Sequence, residues 1–157
     1  LRADLTPPLT GGFYFVTVTI TNKGKRMKTN LDQFFKTSED LEKNGIWFEI
    51  SDSIGFLLRP FKSSNPRVKA AIASYYKPYA RQIEMGTLEP AKQQEIQAKV
   101  FVDVCLIDWK GIEIDGKAVE LDKAVAVKFF VSLPDLFDTL WKHVSDFNNY
   151  KEDLGNS

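Results

Sequence analysis

Three prolines, Pro66, Pro90 and Pro134, each open a run in which apolar residues recur every three or four positions. Proline is at home in the first turn of a helix, where its missing N–H is not needed, and is costly further in. The first run has Asn65 as N-cap ahead of Pro66. Val68, Ile72, Tyr75, Tyr76, Tyr79 and Ile83 then form one stripe, and Pro78 should kink the helix or end its first half. In the second, Thr87 is read as the cap, and Ile96, Val100, Val104 and Ile107 form the stripe. Phe101 and Cys105 widen its apolar face, which suits a central helix touched from several sides. Asp108-Trp109-Lys110-Gly111 is read as its end.

Between the last two prolines, Asp115-Gly116 is a turn signal, and Asp122 can cap a helix carrying Val125, Phe129, Phe130 and Leu133. Ser132 is read as the cap of the last helix, with Pro134 next but one and Asp135 three on. Leu133, Phe137, Leu140, Val144 and Phe147 step along it by fours and threes. Upstream, Ile46–Ile50 and Ile54–Pro60 flank Ser51-Asp52-Ser53 and read as a hairpin. A lone hairpin is marginal in water, so it must lie on something. The fold expected is α+β: a short N-terminal β-hairpin or strand element, then a bundle of about four α-helices.

Residues 1–26 stand apart. Phe13–Ile20 is strand-like, and Asn22-Lys23-Gly24 is a turn signal. Lys23-Gly24-Lys25-Arg26-Met27 can be encoded by a purine-rich stretch resembling a ribosome-binding site before a start codon. Two readings stay open: residues 1–26 are an upstream leader foreign to the native chain, or they are an edge strand. Residues 27–157 are expected to form a single domain. The choice affects charge. The whole chain has 21 basic and 21 acidic residues, but residues 1–26 carry Arg2, Lys23, Lys25 and Arg26 against Asp4, so the remainder has a net charge of −3.

That balance argues against a nucleic-acid binder, which carries a basic footprint. Arg59, Lys62, Arg67 and Lys69 lie near Phe56 and Phe61, but the cluster is small and reads better as a solvated face. No stretch reaches the ~18 apolar residues of a membrane span. Phe13–Ile20 is too short and lacks the basic flank and cleavage site of a signal peptide. One cysteine allows no internal disulfide and fits a reducing cytoplasm.

Catalytic chemistry finds little support. His143 is the single histidine, with Asp146 in reach on the same helix, and it reads as a surface or half-buried side chain. Cys105 has no adjacent cation to lower its pKa and reads as a small hydrophobe. Asp103, Asp108, Glu113 and Asp115 lack the spacing of a calcium loop. No glycine-rich run precedes a helix. The chain is therefore expected to be no enzyme, to hold no cofactor or metal, and to take no small-molecule substrate. Tyr75 and Tyr79 can pack in the core or face a partner, because Tyr is enriched at interfaces. The same choice stands for Phe137, Leu140 and Val144 on the last helix, with Trp141 beside them as the candidate hot spot.

Asp108-Trp109-Lys110-Gly111-Ile112, Asp115-Gly116-Lys117 and Leu133-Pro134-Asp135-Leu136-Phe137 together resemble the C-terminal half of phage tail assembly chaperones. Phe56-Leu57-Leu58-Arg59-Pro60 with Asn65 resembles that family's strand and polar link, so the likeness spans roughly residues 46–150. The strand-like segment 1–26 is not required by the family. The resemblance implies a protein that works in the host cytoplasm and is absent from the mature virion. Its implied partners are the tape measure protein and the tail tube protein, with a homo-oligomer allowed. Trp141, Phe137, Tyr79, Tyr75, Leu140 and Val144 are the expected binding residues. The competing expectation is a structural tail-completion or head–tail joining protein that stays in the particle.

Overall fold

A computed structural model of the chain describes residues 29–32 and 36–151. Residues 1–26, with their two readings, lie outside the described residues. The chain divides into two compact units, residues 1–36 and 37–157. In the first, the Asp32 carboxylate accepts from Thr29 N at 2.8 Å and its carbonyl accepts from Lys36 N at 2.8 Å, a local turn.

The second unit has the α+β fold expected. Its elements are α1 (Glu39–Asn44), β1 (Ile46–Glu49), β2 (Gly55–Leu58), α2 (Pro66–Tyr76), α3 (Ala80–Glu84), α4 (Pro90–Val104) and β3 (Leu106–Lys110). The short strands β4 (Glu113–Ile114) and β5 (Lys117–Ala118) follow, then α5 (Lys123–Ser132) and α6 (Pro134–Ser145). The hairpin is antiparallel, pairing Trp47 with Leu57 and Phe48 with Phe56. Its turn is tied by Ser51 Oγ, which accepts from Ile54 N at 3.1 Å.

The Asn65-Pro66 start is as expected: Asn65 Oδ1 accepts from Arg67 N at 2.9 Å. Asp122 Oδ1 likewise accepts from Val125 N at 3.0 Å. Pro78 interrupts its helix with a 3-10 turn, Lys77–Tyr79, before α3. Asp115 and Gly116 both have positive φ, 52° and 75°, the backbone of a mirror-type hairpin turn, here joining β4 to β5.

Four local expectations are corrected. The helix carrying Val100 stops at Val104, and Leu106–Lys110 is a strand rather than the helix end. It pairs antiparallel with β2, giving the order β1-β2-β3, with a register shift at Leu57/Leu58. Ile107 falls three residues after Val104, so the helical stripe runs on past the true boundary. What decides is β2, whose second edge needs hydrogen-bond partners that only a remote segment supplies. Thr87 caps nothing. Its hydroxyl donates to Gln82 O at 3.4 Å, and Glu89 precedes α4 with no side-chain cap bond. Ser132 is the last residue of α5, its hydroxyl donating to Phe129 O at 3.2 Å, while Leu133 separates α5 from α6. Leu133 is 51% exposed, and Ala126 with Phe130 carries the buried face of α5 instead.

The core lies between the sheet, α4, α5 and α6. Phe101 at its centre has its ring edge-on to Phe130 at 5.4 Å and to Phe137 at 5.3 Å, a favoured aromatic geometry. Trp109 of β3 is buried, and its indole N–H donates to Val119 O at 2.9 Å. That bond ties the sheet edge to the loop before α5.

Candidate functional site

Helices α2, α4 and α5 leave a groove of about 820 Å³ between them. Its floor is apolar. Ala91 and Val102 come from α4, Ala124, Val127 and Val131 from α5, and Tyr75 from α2. Helical spacing explains the floor, since Ala124, Val127 and Val131 sit three and four apart on one face of α5.

The rim is charged and largely self-neutralised. Glu95 pairs with Lys92 and Lys99, each at 2.7 Å, and Asp103 with Lys123 at 3.5 Å. Hydrogen bonds from the two lysines hold the Glu95 carboxyl down at about 2. The groove thus sets an apolar floor inside a charged, solvent-facing rim.

The expected binding residues separate in space. Leu140 and Val144 are fully buried and Phe137 nearly so, which places the α6 stripe in this protein's own core. Trp141 is half-buried, stacked obliquely on Phe61 at 4.7 Å and flanked by Phe101 and Phe137. Tyr75 lines the groove, and the ring of Tyr79 lies 5.8 Å from the Lys92 ammonium on the groove rim. Val102, Val127 and Val131 were not among the residues expected from sequence. For Val127 and Val131 the signal was present as a second apolar edge on α5, beside the Val125 and Phe129 stripe; Val102 lies on α4, next to the expected Phe101.

Among the described residues, no carboxylate hydrogen-bonds to His143. Its Nδ1 lies 3.3 Å from Asn149 Nδ2, its ring packs on Phe48 at 4.6 Å, and its buried Nε2 has no hydrogen-bond partner among the described residues. Burial lowers its pKa, with the charge of Asp146 pulling the other way. The Asp146 carboxylate accepts from Asn148 N at 3.1 Å, capping the 3-10 turn Phe147–Tyr150. Cys105 is fully buried, and burial pushes its thiol up to about 12, far from a thiolate at neutral pH. Among the described residues, no three His, Cys, Asp or Glu side chains gather to hold a metal ion. No helix among them is long and apolar enough to cross a membrane.

Residues 63–155 match a family model described as YdaY prophage protein. The match takes in α2 through the 3-10 turn after α6, and so the whole groove. Its class is thus that of a phage-derived protein. The chain belongs to the YdaY prophage protein family, the match spanning more than half of its length. No curated protein and no solved structure matches the chain.

Proposed function

We propose that this prophage protein is a non-enzymatic tail assembly chaperone that holds a helical segment of the tape measure protein in the α2/α4/α5 groove. In this reading it keeps that long chain soluble in the host cytoplasm, helps recruit tail tube subunits and leaves before the particle is complete. The observation that carries it is the groove: an apolar floor between three helices, with a rim on which Glu95 pairs with Lys92 and Lys99 and Asp103 with Lys123. An amphipathic helix would bury its apolar face there, while its polar face stays wet. The resemblance of Asp108-Trp109-Lys110-Gly111 and Leu133-Pro134-Asp135-Leu136 to tail assembly chaperones supports the same role, as does the prophage family.

The test is co-expression with the long, coiled-coil-rich protein encoded beside it. The chaperone reading expects that protein to be soluble and to co-purify only when this chain is present. If it is soluble and unbound without this chain, the reading fails. Retention of this chain in purified particles would favour a structural tail-completion or head–tail joining role instead.

A further inference from the structure

On another face, the end of α1, the residues after β2, the start of α2 and the last turn of α4 enclose a cleft of about 310 Å³. This is the lower end of the range for small-molecule sites, roughly 300–1,000 Å³. Four cations line it, Lys43, Arg59, Lys62 and Arg67, against the single carboxylate of Glu42. Lys62 pairs with Glu42, which removes that carboxylate from the balance.

Arg59 and Arg67 are left without an acidic partner among the described residues. Each spends one N–H on a main-chain carbonyl: Arg59 Nε donates to Lys43 O at 2.8 Å, and Arg67 Nη2 to Asp103 O at 2.9 Å. These bonds fix the two guanidinium groups in place and leave most of their five donors each unspent. The groups also disfavour one another. Arg59 has a lowered pKa, from burial first and then from the charge of Arg67. The cleft opens on the first turn of α2, whose dipole adds to the positive field. Pro60, Val68 and Val104 give it an apolar wall.

We infer that this cleft binds the phosphate group of a small molecule, gripped by the Arg59 and Arg67 guanidinium groups, with the rest of the ligand on the Pro60–Val68–Val104 wall. Fixed arginine forks match the oxygens of phosphate two at a time, which a lysine ammonium cannot do. A bound dianion would relieve the repulsion between the arginines. A nucleic-acid backbone fits less well, because the chain has no net charge and the cluster is confined to one cleft. The inference is independent of the chaperone reading.

The test follows the arginine side-chain N–H signals by NMR at low ionic strength. Inorganic phosphate, glycerol 3-phosphate, acetate and a short single-stranded oligonucleotide are titrated in turn. Saturable shifts at Arg59 and Arg67 are expected with both phosphates, glycerol 3-phosphate binding the tighter. Arg67→Gln should weaken binding about tenfold or more, and Arg67→Lys should restore only part of it. Because Arg67 also holds Asp103 O, Lys43→Gln serves as a second variant. Among the described residues the Lys43 ammonium makes no hydrogen bond or ion pair, and its removal should weaken binding about threefold. Shifts that never saturate, shifts that Arg67→Gln leaves unchanged, an equal response to acetate, or an oligonucleotide that binds far tighter than glycerol 3-phosphate would each overturn the assignment.

Discussion

The Tyr150 hydroxyl donates a 3.1 Å hydrogen bond to the carbonyl oxygen of Leu58, and both residues are fully buried. Tyr150 O in turn accepts from Ser38 N at 2.8 Å. One residue near the end of the described chain therefore clasps the middle strand of the sheet and the entry to α1 together. Tyr150→Phe keeps the ring and leaves a buried carbonyl short of a donor. It should cost about 1–2 kcal/mol, read from urea unfolding midpoints, with an unchanged slope showing that compactness is kept.

Gly111 and Gly86 make a paired test of backbone against space. Both have positive φ, 72° and 66°. A methyl group on Gly111 would come within 1.9 Å of Ser53 O, whereas on Gly86 it would meet nothing within 4 Å. Gly86→Ala should cost only the ~1–2 kcal/mol of left-handed backbone. Gly111→Ala must also push the β1–β2 turn away, so more than about 3 kcal/mol is expected. Equal melting temperatures for the two variants would contradict the packing described.

Stability should depend on His143 in mildly acidic solution. Burial holds its folded-state pKa below the ordinary 6.5. Above that value both folded and unfolded states are neutral there, so the histidine contributes no pH dependence. As pH falls through 6.5, the unfolded state takes up the proton first, and stability drops until the lower folded pKa is reached. His143→Phe removes the titrating group and the unpartnered Nε2 while keeping a ring against Phe48. Its unfolding free energy should be flatter than that of the native protein across this acid window.

Trp141→Ala and Val127→Glu should separate stability from binding. Trp141 packs on Phe61, Phe101 and Phe137, so its truncation should cost about 2–4 kcal/mol whatever it does to a partner. Val127 is half-buried on the groove floor, and a glutamate there has an open route to water. Under the proposed function, Val127→Glu should melt close to the native temperature yet lose at least tenfold in affinity for the tape measure segment. Calorimetry and pull-down on the same preparations check both halves.

Local chemistry made several elements readable from sequence alone. Asn65-Pro66, Asp122 and Asp115-Gly116 act over two or three residues, and each does what its residue types require. The misread elements depend on distant partners. Leu106–Lys110 is a strand only because β2 offers an edge, and nothing between Val104 and Lys110 announces it. The α6 stripe was visible, but whether it faced inward turned on where Phe101 and Phe130 would lie. The groove was missed for the same reason: Val102 and Val127 become one surface only when α4 and α5 meet.

The strand order also sets a timetable. During synthesis β1 and β2 leave the ribosome early, yet the strand that completes their sheet follows only after α2, α3 and α4 have emerged. Until then β2 has one open edge, and Phe56 and Leu58 lack the cover that buries them in the finished fold. The nascent hairpin is therefore the stretch most in need of protection. Slowing elongation while Leu106–Lys110 is still inside the ribosome should raise the aggregated fraction, while slowing it once that strand has emerged should not.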